Sequence, residues 1–529
     1  MSERRTRLST PLALLVAIAA VLTAIALPAA ASSAPPGCAN RTNSTYQALL
    51  DCVTLEGVRA HQAEFQAIAE ANDDPVYPGT RAAGTEGYAN SAAYVAGLLE
   101  DAGYDVTLDE FEFVFQFPAI LRQLTPGTAT DHPANPATGT GNGDVTAAVV
   151  PVDLNMTPPR TPSTSGCEAG DFAGFPTATP AIALIQRGTC GFNVKAQNAQ
   201  TAGADAVILF NQGDSGPDAG PGDRFGPVNP TLGTFVASIP VVGTSFAAGE
   251  ALAQAGSTAR VFVRNETRTD VNVIADLPGN NAGNVVMSGA HLDSETLGPG
   301  SNDNGSGSAA LLETALMLAK VKPENSLRFA WWGAEESGLI GSTAYVNGLS
   351  TAERDRIAMY MNYDMVGSPN YVFMVYDADQ SSFPPPTGVP IPPGSSAIED
   401  VYESYYTKLG IPYDDTQFSG RSDYQAFIVN GIPSGGLFTG AEVQKTAEQT
   451  AIWGGTTGAQ FDPCYHIACD TFANNSDRAL EVNSDLIAFA QLRFAFSTQS
   501  VNGVPGRDVP GSSSFTLPAP AGPEGTFVP

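Results

Sequence analysis

The apolar positions of this chain change period several times, and each change marks an element. Between residues 46 and 70, Val58, Phe65, Ile68 and Ala69 share one face of a helical repeat. Tyr88, Val95, Leu98, Leu99 and Ala102 repeat the pattern over 88–102, Gly103 stops it, and Asp105–Phe113 then alternates as a strand does. Residues 120–180 are rich in Pro, Thr, Gly and Asn, the composition of loops and short strands. A compact unit follows: a buried strand at Ala181–Gln186, a helix at Asn193–Ala202 and a strand at Ala206–Asn211. From Val271 the rhythm is regular. Strands are predicted at Val271–Ala275, Val285–Ala290, Leu327–Trp332, Ile357–Asp364 and Ser434–Phe438, with helices at about 304–319, 338–348, 396–409 and 484–497. That alternation predicts an α/β fold whose central sheet is mostly parallel and covered by helices on both faces. Residues 125–268 interrupt it as an inserted domain, between a first segment of the main domain at 37–124 and a second at 269–499. Residues 500–529, rich in Gly, Pro and Ser without periodicity, read as a disordered tail.

Composition adds location and excludes some partners. Arg4, Arg5 and Arg7 precede the apolar run Pro11–Leu27, and Ala29, Ala30 and Ala31 offer a small-residue cleavage site. Residues 1–31 therefore read as a secretory signal peptide, and the product as secreted, with no stable membrane association after cleavage. The net charge of −29 argues against a polyanionic partner such as nucleic acid. Six cysteines in an exported chain read as three disulfides, and proximity pairs Cys38 with Cys52, Cys167 with Cys190 and Cys464 with Cys469.

The chemistry is carried by few residues. Of four histidines, His291 stands at the end of a predicted strand and His466 between two cysteines. Glu335 and Glu336 follow the next strand, and Asp364 ends the one after. Open parallel sheets bind ligands at the carboxyl ends of their strands, so these loops should converge. Asp303 lies in a glycine-rich turn that opens a helix. Two imidazoles and three carboxylates suit a pair of divalent ions bridged by one carboxylate, with a further carboxylate free to act as general base. Each feature alone has a plainer reading, as a surface Glu pair or an Asp-Asn-Gly turn. Their order at successive strand ends sets them apart.

Five segments, His291-Leu292-Asp293, Ser301–Gly307, Trp332–Gly338, Asn362–Ser368 and Cys464–Asp470, resemble in order the signature segments of the M28 zinc aminopeptidases, notably the Streptomyces-type leucine aminopeptidases and the aminopeptidase Y type. Gly166-Cys167 and Ile185–Lys195 resemble a protease-associated (PA) domain. The resemblance implies a three-layer zinc-exopeptidase fold, two zinc ions per chain, and peptide substrates with a free N-terminus and a hydrophobic first residue. It implies that Asp303 bridges the ions, that His291 and Asp364 hold one, and that Glu336 and His466 hold the other. Glu335 would then be the general base and Tyr465 the donor to the oxyanion. Asp293 would orient His291, and Arg421 would lie near the substrate. The bond after Asp303 would be cis. Some relatives bind Ca2+ near the C-terminal helix, where Glu481 and Asp485 stand here. The same scaffold also serves carboxypeptidases, dipeptidases and one-zinc glutaminyl cyclases, and a chain that had lost its ligands would be a binding protein.

Overall fold

The computed structural model describes residues 37–214, 224–384 and 390–527. The expected signal peptide lies outside the described residues. No helix among them is long and apolar enough to cross a membrane.

A nine-stranded sheet forms the centre of the larger unit. Its strands run, edge to edge, Asp105–Gln116, Asn265–Leu277, Asn325–Trp332, Asn281–His291, Ile357–Tyr363, Ser434–Phe438, Met374–Tyr376, Asp414–Thr416 and Thr526–Phe527. Five of the eight pairings are parallel, including all those around Asn281–His291, so the sheet is mostly parallel. Alternation explains its two cores. Phe329 and Trp331 point into one core with Val286, Leu311 and Leu486, while Ala330 and Trp332 point into the other with Met287, Tyr360 and Phe427. Helices Leu55–Ala71, Glu86–Ala102, Gly305–Leu318 and Asp477–Phe496 cover the first face, and Ile340–Gly348 and Tyr424–Ile428 cover the second. A second sheet of eight strands is built from residues 120–263, with Ala181–Gln186 and Ala206–Phe210 parallel and wholly buried at its centre.

Three expectations need correction. The helix expected over 46–70 is two, Tyr46–Leu50 and Leu55–Ala71, because Cys52 is tied to Cys38 and Thr54 caps a fresh start by accepting from the Gly57 N–H. The helix expected from 484 begins at Asp477, capped by Ser476; its first turns carry too many polar residues to show an apolar period. The tail is not loose. Phe515 stacks on Tyr405 and packs at a tilt against Tyr46 and Phe489, Val509 is buried, and Thr526–Phe527 adds to the sheet edge. Isolated apolar residues among Pro and Gly anchor it without any periodicity. All three cysteine pairs are those expected from proximity.

Candidate metal and catalytic site

Parallel strands bring their carboxyl ends to one edge, and the site is built there. Asn281–His291 delivers His291, Asn325–Trp332 leads into Glu335 and Glu336, and Ile357–Tyr363 leads into Asp364. Asp303 stands at the mouth of helix Gly305–Leu318. Its backbone N–H and that of Asn302 donate to the two carboxylate oxygens of Asp470, each at 2.9 Å. The Asp303–Asn304 peptide bond is cis. The Asn304 side chain then caps the helix at Gly307 (2.9 Å), accepts from the Met365 N–H (3.1 Å) and donates to the Tyr363 carbonyl (2.9 Å). Position 307 must be glycine, since a Cβ there would lie 2.2 Å from that same carbonyl.

The five expected ligands meet. His291 Nε2 lies 3.2 Å from Asp303 Oδ1 and 3.3 Å from Asp364 Oδ1. His466 Nε2 lies 3.1 Å from Asp303 Oδ2 and 3.3 Å from Glu336 Oε2. Asp303 thus turns one oxygen to each histidine. His466 reaches in from a loop closed by the Cys464–Cys469 disulfide, and its own backbone takes a left-handed conformation, φ 60°. The donor set fits a cation pair. Asp364 Oδ1 and Glu336 Oε1 are buried and take no hydrogen bond. Burial alone would lower the His291 pKa, yet the Asp364 and Glu335 carboxylates drive it well above its ordinary value. Burial, with Asp303 and Glu295 nearby, pushes Glu336 well up. A cluster that would otherwise draw in protons is one that positive ions of nitrogen and oxygen preference can satisfy.

The remaining expected residues surround this centre. Glu335 is buried, 7% exposed, and its pKa is raised by burial, with Asp364 and Asp423 adding to the effect against His291. Its N–H donates to Asp293 Oδ1 at 3.1 Å, and the Glu336 N–H donates to Oδ2 at 3.3 Å. His291 Nδ1 faces the Asp293 main-chain oxygen at 3.1 Å and its carboxylate at 3.6 Å. Asp293 therefore ties the two strand-end loops together as well as orienting a ring. Arg421 donates to the Tyr465 hydroxyl (3.1 Å) and to Glu442 (2.9 Å). Ser422 donates to Asp364 Oδ2 at 2.6 Å. A cavity opens from the five expected ligand side chains onto an apolar wall of Met365, Tyr376, Tyr424, Phe438 and Val443. Glu481, where calcium was expected, is exposed and pairs with Arg478 at 3.3 Å, and with Asp485 it belongs to no group of three ligand side chains among the described residues.

Sequence reasoning missed three contributors. Arg81 is fully buried and donates to the carbonyls of Leu292, Pro299 (2.9 Å) and Gly300 (2.7 Å), gripping the loop between His291 and Asp303. Asp470 fixes the backbone of Asp303, and Glu295 lies 3.5 Å from His466 Nδ1. Only Asp470, one residue past Cys469, stood inside a quoted segment.

Residues 272–490 match the family model described as Peptidase family M28, and residues 145–252 match the PA domain. The chain is 45% identical over 475 residues to a Pseudomonas aeruginosa protein named aminopeptidase, covering 87% of this chain and 84% of that one. It is 42% identical over 365 residues to a probable leucine aminopeptidase 2 of Aspergillus fumigatus, covering 68% and 70%. Among solved structures, a zinc aminopeptidase from Bacillus subtilis superimposes with a TM-score of 0.58 at 26% identity, over 83% of this chain and 97% of that one.

Proposed function

The chain belongs to peptidase family M28, and from that premise we propose that it is a secreted di-zinc aminopeptidase favouring hydrophobic first residues. The observation that carries the reading is that each Asp303 oxygen faces one histidine nitrogen, at 3.2 and 3.1 Å, and that each of those nitrogens lies 3.3 Å from one further carboxylate. His291 and Asp364 would hold one ion, His466 and Glu336 the other, with Asp303 between them. When bound, such ions supply Lewis-acid polarisation of a carbonyl and a water acidified towards neutral pH. The protein's own groups do the rest. Glu335, whose carboxylate burial makes more basic than a free one, takes the proton of the attacking water and returns it to the departing amine. Tyr465 donates its hydroxyl to the developing oxyanion, and Arg421 holds that hydroxyl in place. The free α-amine lies against Glu335 and Asp364, which confines cleavage to chain ends. The apolar wall from Met365 to Val443 supports the hydrophobic preference, and three disulfides support export.

Hydrolysis of leucyl-p-nitroanilide beside its N-acetylated form, with and without chelator, tests this. Chelator-sensitive cleavage of the free amine alone is expected. Cleavage of neither form by zinc-loaded protein would move the activity to C-terminal or dipeptide substrates.

A further inference from the structure

A second group of acids gathers away from the five ligands, where the short strands Met374–Tyr376 and Asp414–Thr416 meet helix Ser395–Leu409. Ligand oxygens of Asp377, Asp379 and Glu399 lie within 4.8 Å of one another, and so do those of Glu399, Glu403 and Asp415. Glu399 belongs to both triads, so the five carboxylates form one continuous patch. Four of them are buried: Asp377 is 3% exposed, Glu399 2%, Glu403 8% and Asp415 0%. Asp379 lies at the surface as the mouth. None of the five forms an ion pair with a basic side chain among the described residues.

The loop around this patch is shaped by its own acids. Asp377 accepts from the N–H groups of Ser381 (3.0 Å), Ser382 (3.1 Å) and Phe383 (2.5 Å). Glu399 Oε2 accepts from the N–H groups of Ala378 (3.1 Å) and Asp379 (2.8 Å). Ser382 donates to Asp415 Oδ2. These bonds leave a remainder. Asp415 Oδ1 is buried within a side chain that is 0% exposed, and it takes no hydrogen bond. An orphaned oxygen on a buried carboxylate that clusters within 4.8 Å of two more carboxylates is a costly arrangement unless something positive sits among them.

We propose that Asp377, Asp379, Glu399, Glu403 and Asp415, with the Ser382 hydroxyl at their edge, form a Ca2+ site. An all-oxygen set with several carboxylates, no nitrogen and no sulfur is the donor chemistry of a hard cation. Five carboxylates and a hydroxyl can supply the about six to eight oxygens that Ca2+ takes, where Mg2+ keeps several waters and needs only one or two carboxylates. Without a cation the acids repel one another and hold protons instead: burial and Glu403 push Glu399 up to about 9, and burial and Asp415 push Glu403 up to about 8. The site has a structural consequence. Asp377 and Asp415 directly adjoin Tyr376 and Thr416, which line the cavity beside the five ligands. The ion would brace two strands that carry that wall.

The test uses the full, zinc-loaded protein. It is dialysed against 45Ca2+ up to about 1 mM, the weak end of protein calcium sites, and its thermal midpoint is read with and without Ca2+. The expected result is one ion retained per chain, a midpoint that rises with Ca2+, and loss of both in Glu399→Gln and Glu403→Gln at unchanged zinc content. Asp379→Asn, at the exposed mouth, carries the test if the buried variants do not fold. Two results would overturn the assignment. One is no retained Ca2+ in the parent; the other is retention undiminished in every variant that folds. In the first case the patch is a proton-sharing cluster, and the glutamine variants should raise the midpoint regardless of Ca2+.

Discussion

Replacing Arg81 by Met is the sharpest probe of how the fold holds the site, because the side chain touches no ligand yet grips the loop between two of them. The carbonyls of Leu292 and Pro299 take no other hydrogen bond from the described residues, whereas that of Gly300 also accepts from the Gly305 N–H at 2.9 Å. Two buried acceptors are therefore orphaned, at about 1–3 kcal/mol each, and one charge-assisted bond is lost, at about 1.5 kcal/mol or more. There is an offset. Burial drives the Arg81 pKa down to about 10 from 12.5, against the pull of Asp293 and Asp470, and Met no longer buries that charge. At 1.36 kcal/mol per unit the offset is about 3 kcal/mol. The net loss should be about 0.5–4.5 kcal/mol, centred near 2. The three tryptophans, Trp331, Trp332 and Trp453, all lie in the larger unit, so their fluorescence in a urea titration follows its unfolding. The midpoint should fall, and zinc retention on dialysis should weaken with it. A midpoint within about 0.5 kcal/mol of the parent, together with unchanged zinc retention, would refute the account, since surface-like tolerance is of that size.

Glu335→Gln should lower kcat by about 10²–10⁴ while zinc content by atomic absorption stays unchanged; loss of metal in parallel would make Glu335 a structural residue. Tyr465→Phe should cut kcat by roughly 10² with little change in KM, and an unchanged kcat removes the hydroxyl from the reaction. Asp485→Asn tests a half-buried acid far from the chemistry. Burial and Glu481 raise its pKa from 3.8 to about 7, so the carboxyl supports the fold at low pH and loses that contribution as pH rises through 7. The variant should therefore be more stable than the parent by roughly 1–3 kcal/mol at pH 8, allowing for partial exposure, with the gain shrinking towards pH 4. A gain that does not vary with pH contradicts the assignment.

Legibility in the sequence followed distance along the chain. His291, Glu335, Glu336 and Asp364 each end or closely follow an apolar run long enough to be read as a strand, and the rule that parallel strands present their carboxyl ends together brings them to one edge. Asp303 and His466 needed segment resemblance, since a glycine-rich turn and a disulfide loop have no period. Arg81 gave no signal at all: it is a single basic residue in a Pro/Gly-rich loop, and its partners are backbone carbonyls more than 200 positions away. The second acidic patch was hidden for the same reason. Asp377 follows, and Asp415 sits inside, a strand of three residues, too short to show alternation, and Glu399 and Glu403 are one helical turn apart on a helix whose buried face would be expected to be apolar.

The two histidines are held by opposite means, and the contrast explains the surrounding design. His291 is 1% exposed at the end of a central strand, so the sheet itself fixes it. His466 has a side chain 33% exposed and stands on a short loop outside the sheet strands. Its position depends on three separate restraints: the Cys464–Cys469 disulfide, the Tyr465 ring stacked on its own at 3.7 Å, and Asp462, which accepts from the Cys464 N–H at 2.8 Å. Asp462 also accepts from Asn302, beside Asp303. Asp470, at the far end of the same loop, accepts from the Asp303 N–H. The loop that presents His466 is thus tied at both ends to the turn that presents Asp303. The two halves of the site are registered against each other through backbone and carboxylate contacts.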